Sequence, residues 1–219
     1  MRRLFDDPTD HITVREAYDV HRPRPSARPW LGVCMVASID GSTVVESNSR
    51  ALSSKTDQEV LLTLRSLADV LIVGAATVRI EGYGPPRKRG QRVGVVSRRG
   101  DVDSTTALFT SGAGFLILPD DAPPTSVDSI RAGTGEVDLA GALAQLDADF
   151  VQAEGGALLN GALSAADVID EVNLTISPQL AGGDGPRVTS GSMQLSRKMH
   201  LAHVLEDDGF LFTRYVRAR

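Results

Sequence analysis

Nine residues in one nearly unbroken apolar run, Leu31-Gly32-Val33-Cys34-Met35-Val36-Ala37-Ser38-Ile39, constrain this chain more than any other stretch. An alternating pattern would leave one face of a strand to water, whereas a continuous run needs cover on both faces. Asp40-Gly41 then turns the chain. Shorter apolar runs follow at Val70 to Val73, Arg92 to Ser97, Phe115 to Leu118 and around Phe150. Helical patterns lie between them. Ser53 to Ala68 has two capping-box starts, Ser54 with Asp57 and Thr56 with Glu59, and a stripe of Val60, Leu61, Leu64 and Leu67. Thr77 to Glu81 reads as a short helix, Asp138 as the cap of a helix through Leu146, and Ala157 to Leu163 as another. Strands alternating with helices predict an α/β fold whose mostly parallel central sheet carries helices on both faces. Val168 to Ser177 is one more strand. Met199 to Glu206 and Phe210 to Val216 flank Asp207-Asp208-Gly209, so the chain closes on an antiparallel hairpin. That hairpin, apolar at alternate positions, is expected to form an exposed edge that invites a second subunit.

Residues 1–29 read as an extended arm ahead of a single domain spanning 30–219. Arg22-Pro23-Arg24-Pro25 and Arg28-Pro29 deny the arm regular structure. Whether it wraps the domain, wraps a partner subunit or stays mobile is left open by the sequence. It has no apolar core of the kind a secretory signal needs, and no apolar run approaches membrane-spanning length. A net charge of −5 argues against a nucleic-acid surface. The lone cysteine, Cys34, excludes an internal disulfide framework and points to a reducing, cytoplasmic setting. The His200-x-x-His203 pair reads as surface or strand, and no metal site is expected.

Glu154-Gly155-Gly156 carries the first chemical signal. It joins the Phe150 strand to the helix that begins at Ala157. Glycines let the backbone approach an anion closely, and the free N–H groups and dipole of a helix start favour negative charge there. The stretch is not the G-x-G-x-x-G dinucleotide fingerprint. A carboxylate just before the glycines points to a partner other than phosphate; the plainer alternative is a tight turn with a solvated Glu154. Gly74 and Ser97 also follow strands. In a doubly wound sheet ligands bind at such carboxyl ends, so Gly74, Ser97 and Gly155 are expected to face one crevice.

Four segments, in order and at these intervals, resemble the pyrimidine reductases of riboflavin biosynthesis, a family with the dihydrofolate-reductase fold: Val33 to Gly41, Leu64 to Thr77, Val95 to Arg98, and Glu154 to Leu159. The resemblance spans roughly residues 31 to 217. It implies an NADPH-dependent reduction of the ribosyl group of a ribosylaminopyrimidine 5′-phosphate to ribityl, with no metal. By the same resemblance Gly74, Ala75 and Thr77 form the first cofactor turn. Ser97 and Arg98 meet the 2′-phosphate of NADPH, Gly155 and Gly156 lie over the pyrophosphate, and Ala37 lies where the nicotinamide is placed. Ser49, Arg65, Thr77 and Glu81 match substrate-binding positions, and Glu154 a catalytic carboxylate beside the substrate. The basic run Arg87, Lys88, Arg89, Arg92, Arg98 and Arg99 supports a phosphate partner, with Arg98 the chosen residue and most of the others solvated. After Thr77 the chain departs from the family pattern, reading Glu81-Gly82-Tyr83-Gly84-Pro85-Pro86, so Arg87 or Lys88 is left as the second phosphate-binding cation. No H-x-E paired with P-C-x-x-C is present, so a stand-alone reductase without a zinc deaminase half is expected, and family habit implies a homodimer. The alternatives are a pterin or dihydrofolate reductase, for which Asp57 and Glu59 are the only acidic residues near the start of the first helix, and a non-catalytic NADP-binding module, which would need neither Glu154 nor Arg65.

Overall fold

The amino-terminal residues hold more structure than the extended arm expected of them. In the computed structural model, which describes residues 1–46, 48–194 and 196–218, Arg2–Phe5 form strand β1 and Val14–Tyr18 form helix α1. The helix starts on a capping box that the prolines nearby obscured. Thr13 Oγ1 accepts from the Glu16 N–H at 3.2 Å, and Glu16 Oε2 accepts from the Thr13 N–H at 2.9 Å. Val14, Ala17 and Tyr18 are buried in the core. The proline-bearing stretch after Asp19 has no helix or strand, and it is pinned. Arg22 pairs with Glu171 at 2.9 Å and Arg28 pairs with Asp170.

The long apolar run becomes β2 (Trp30–Ser38). A 3-10 turn, Arg50–Leu52, leads to α2 (Lys55–Leu67), where Ser54 Oγ accepts from the Asp57 N–H at 3.0 Å. Then follow β3 (Val70–Gly74), α3 (Ala75–Glu81), β4 (Arg92–Val96), α4 (Ala107–Thr110), β5 (Gly114–Leu118), β6 (Ser129–Arg131) and α5 (Leu139–Ala144), the last capped by Asp138. The chain closes with β7 (Phe150–Ala153), α6 (Ala157–Ala165), β8 (Glu171–Ser177), β9 (Met199–Asp207) and β10 (Phe210–Arg217). Both α4 and β6 lie outside the pattern read from the sequence. They are too short to show a period. Val168 and Ile169, expected in a strand, precede β8, and Val168 packs in the core instead.

Among the described residues the strands form one sheet in the order β1-β9-β10-β8-β2-β7-β3-β4-β5-β6. Neighbours from β8 through β6 are parallel; β10, β9 and β1 add antiparallel pairs. Alternate residues face opposite sides, which divides the core in two. Cys34, Leu71, Val73, Val93 and Val95 pack with residues of α1 to α4. Leu31, Val33, Val70, Ile72 and Val151 pack with α5 and α6. The hairpin is not the exposed edge its alternation suggested, because β1 pairs with β9 and β8 with β10. The free edges are β1 and β6.

One polar cluster sits inside this core. Glu171 accepts from Arg22, Arg214, Trp30 Nε1 and Asn173. His203, opposite Arg214 on β9, meets Tyr18 edge-on at 5.0 Å. Burial, helped by the charge of Arg214, lowers the His203 pKa from 6.5 to about 4. Between those values the unfolded chain takes up a proton that the folded chain refuses. Stability is therefore expected to fall as pH drops from 6.5 towards 4, by roughly 3 kcal/mol from this residue. Burial opposes the charge of Glu171, but Arg22 and Arg214 outweigh it and hold the carboxyl at about 2, so its contribution is lost as pH falls from 4.5 towards 2. Urea denaturation of wild type and His203→Gln across pH 4 to 7 checks the first effect, since the variant should lose most of that slope.

Candidate active site

The parallel strands β3 and β7 are neighbours, and their carboxyl ends bring the two glycine turns together. The Gly74 N–H donates to the Gly155 carbonyl at 2.7 Å, and the Gly156 N–H donates to Thr77 Oγ1 at 2.8 Å. Gly155 has φ +78°, and a Cβ there would stand 2.9 Å from Met35 Sδ. A Cβ on Gly156 would stand 2.9 Å from Thr77 Oγ1. Only glycine keeps this turn low. Neither Gly156 nor Gly74 offers a side-chain cap, so the first-turn N–H groups of α6 and α3 remain open to an external acceptor.

Beside the turns lies a cavity of about 810 Å³. Of the residues singled out from the sequence for substrate, cofactor or catalysis, Ser49, Arg65, Thr77, Glu81, Arg87, Lys88, Glu154 and Gly156 line it. At its centre Glu154, which ends the β7 run with its side chain 3% exposed, is held by three donors. Arg65 Nε and Nη2 reach its two oxygens at 2.7 and 2.6 Å, and the Tyr83 hydroxyl donates at 2.6 Å. The Arg65 guanidinium also lies 5.4 Å from the centre of the Tyr83 ring. Burial works against the Arg65 charge, but Glu154 outweighs it and holds the guanidinium above its ordinary range. Burial, then the charge of Glu154, pushes the Tyr83 hydroxyl well up, so it stays a donor. Cys34 lines the same cavity. Burial, then Asp57 and Glu154, raise its pKa, so it stands as an uncharged thiol and not as a nucleophile.

The remaining residues expected to meet a cofactor lie outside the cavity lining. Gly74, Ala75 and Gly155 form the rim turn described above. Ala37 is buried in β2. Ser97 follows β4, its Oγ accepting from the Gly100 N–H at 3.1 Å. Arg98 is exposed, 3.9 Å from Glu136. The basic run disperses: Arg92 pairs with Asp128 at 2.7 Å, and Lys88 Nζ donates to the Ala68 carbonyl at 2.7 Å. Arg87 lines the cavity, as does Arg50, and among the described residues neither is paired with a carboxylate. Sequence reading missed Tyr83, Arg50 and Met35. Tyr83 left one trace, an aromatic ring flanked by glycines in a loop where the family pattern breaks.

Could a dinucleotide be held here? A low glycine turn, uncapped helix starts and a carboxylate-bearing cavity next to them suit a nicotinamide dinucleotide. Fold and site together define a class: an α/β protein of dihydrofolate-reductase-like architecture with a cavity beside the turns that follow β3 and β7. Dihydrofolate reductase from Enterococcus faecalis, solved with NADP(H), superposes with a TM-score of 0.51 at 12% identity, over 87% of this chain and 97% of that one. The chain belongs to the RibD C-terminal domain family, whose pattern matches residues 29–210. It is 26% identical over 181 residues to a Methanothermobacter thermautotrophicus protein named 2,5-diamino-6-ribosylamino-4(3H)-pyrimidinone 5′-phosphate reductase, covering 73% of this chain and 82% of that protein. A pyrimidine reductase-like protein from Corynebacterium diphtheriae superposes with a TM-score of 0.80 at 21% identity, over 95% of this chain and all of that one. Among the described residues no helix is long and apolar enough to cross a membrane, and no group of His, Cys, Asp and Glu is placed to hold a metal ion.

Proposed function

We propose that the protein is an NADPH-dependent reductase that converts the ribosyl group of a ribosylaminopyrimidine 5′-phosphate to ribityl. One observation carries this reading: Glu154, held by Arg65 and Tyr83, lies in a cavity directly beside the paired turns at Gly74 and Gly155-Gly156. When bound, the cofactor supplies a hydride. The chain's own residues do the rest. Gly74, Ala75, Thr77, Gly155 and Gly156 position the dinucleotide, with Ala37 behind the nicotinamide and Ser97 and Arg98 towards the 2′-phosphate. Ser49, Thr77 and Glu81 contact the substrate. Arg50 and Arg87, free of carboxylate partners among the described residues, suit its phosphate better than Lys88, which is bound to the Ala68 carbonyl. Arg65 spends two nitrogens on Glu154, so it serves the phosphate less than the sequence implied. Glu154 sits where it can accept from ribose hydroxyls and raise the proton affinity of the open-chain imine at C1′. The protein acts in the cytoplasm as a homodimer, and the free edge at β1, with Leu4 and Phe5 half exposed, is the face suited to pairing.

Purified protein mixed with NADPH and the ribosylaminopyrimidine phosphate should consume NADPH, followed by absorbance. Turnover of dihydrofolate alone would favour a pterin reductase, and cofactor binding without turnover a non-catalytic module. Arg98→Ala should weaken NADPH roughly tenfold while leaving NADH within about twofold, because it removes a charge-assisted contact to a group NADH lacks. Equal losses for the two cofactors, read by fluorescence titration, would retire that role.

A further inference from the structure

Arg65 holds Glu154, yet it stands on the least secure part of its own helix. It lies in the last turn of α2, where the closing carbonyls have no N–H four residues on. Many helices close on a glycine in the left-handed region, which turns N–H groups back onto those carbonyls. Here the cap is Ala68, at φ −71° and ψ 149°, so the chain leaves in extended form and the carbonyls find donors elsewhere. The donors come from the segment ahead of β4. Gln91 Nε2 donates to the Arg65 carbonyl and to the Ala68 carbonyl, both at 2.7 Å, and Lys88 Nζ donates to Ala68 at 2.7 Å. Gln91 is 5% exposed and lines the cavity. Its amide has one workable orientation, since the reverse would set its oxygen against two carbonyl oxygens. Among the described residues Gln91 is the only side chain that donates to the Arg65 carbonyl.

We propose that Gln91 is the positioning residue of the Arg65–Glu154 clasp. Arg65 is fixed at both ends, its guanidinium by Glu154 just past β7 and its carbonyl by Gln91 just before β4. Strands β7, β3 and β4 are neighbours in the sheet, so one rigid element carries both anchors. Without Gln91 the last turn of α2 frays, and the guanidinium moves with it. Its two contacts to Glu154 then no longer form together. A misplacement of about 1 Å in groups that set the reacting geometry costs up to roughly a hundredfold in rate. The inference rests on reading Glu154 as the carboxylate beside the reacting carbon.

The test is a double-mutant cycle read by rate and by NMR. Gln91→Met keeps the length of the side chain and removes both donors. It should lower kcat roughly tenfold with NADPH affinity within about twofold, and in an Arg65→Ala background it should lower kcat by less than about twofold further. Thermal midpoint should fall by about the same few degrees in both backgrounds, so lost stability does not account for the difference. A kcat loss that multiplies in the Arg65→Ala background would overturn the proposal. The second readout needs no turnover. The Arg65 Nε–H resonance, identified by its absence from Arg65→Ala, should exchange with water at least about tenfold faster in Gln91→Met, while the N–H groups of the central strands keep their rates. An unchanged Arg65 signal beside a fallen kcat would also overturn it, placing Gln91 on the ligand instead. If Gln91→Met does not fold, Gln91→Asn, one methylene too short to span both carbonyls, enters the same cycle with an expected loss of about threefold. A wild type without turnover would end the reductase reading, and the exchange rates alone would then decide for or against the clasp.

Discussion

Glu154→Gln is expected to lower kcat roughly a hundredfold or more while leaving NADPH affinity within about threefold. The substitution keeps shape and changes charge. In the protein the carboxylate accepts from Arg65 Nε and Nη2 and from the Tyr83 hydroxyl, all within 2.7 Å. An amide offers one acceptor oxygen and an NH2 group, so one arginine contact becomes donor against donor. Arg65 then lies in the cavity without its counter-charge, and the imine loses the negative group that raises its proton affinity. The cofactor turn should be spared, because Gly74 meets Gly155 and Gly156 meets Thr77 through contacts that do not involve the Glu154 side chain. Steady-state kinetics with cofactor titration separates the two effects. An equal loss in both would mean that Glu154 organises the turn and not the reaction.

Glu171→Ala is expected to cost 3–5 kcal/mol or about 10 °C in thermal midpoint, the largest stability loss of any single change considered. Its carboxylate is fully buried, and so nearly are its two arginines: the side chain of Arg22 is 6% exposed and that of Arg214 11%. Removing the acid leaves two buried cations without their counter-charge. The loss should also loosen the start of the 20–29 stretch, which Arg22 ties to Glu171, while Arg28 still holds its end to Asp170. Calorimetry of the variant checks this, and a cost below about 1 kcal/mol would show that the cluster is neutral to stability.

How much of this was legible in the sequence depends on what each residue needed to reveal. The run at 31–39 announced a doubly covered strand because apolar side chains stand at both parities. Asp138 and Ser54 announced helix starts because a capping side chain acts on residues three positions away. Such signals are local. Thr13 with Glu16 was equally local, yet the surrounding prolines and charges drew the reading towards an arm. Glu154, Arg65 and Thr77 were found through motif order, and the structure brings all three to one cavity. That Arg65 would clasp Glu154 was not readable, because the contact joins residues 89 positions apart in sequence. The same holds for Tyr83, whose loop has no period and whose hydroxyl matters only through its partner. The hairpin alternation gave the right strands and the wrong edge, since no pattern within 199–217 could reveal that β1 returns to cover β9.

The account stands or falls on whether hydride reaches the sugar carbon in this cavity. NADPH deuterated at both C4 positions of the nicotinamide, incubated with the protein and the ribosylaminopyrimidine phosphate, should yield a ribityl product carrying a single deuterium at C1′, seen by mass spectrometry and NMR and formed in step with NADPH consumed. A ribityl product without deuterium, or no product while NADPH and substrate persist, would contradict it.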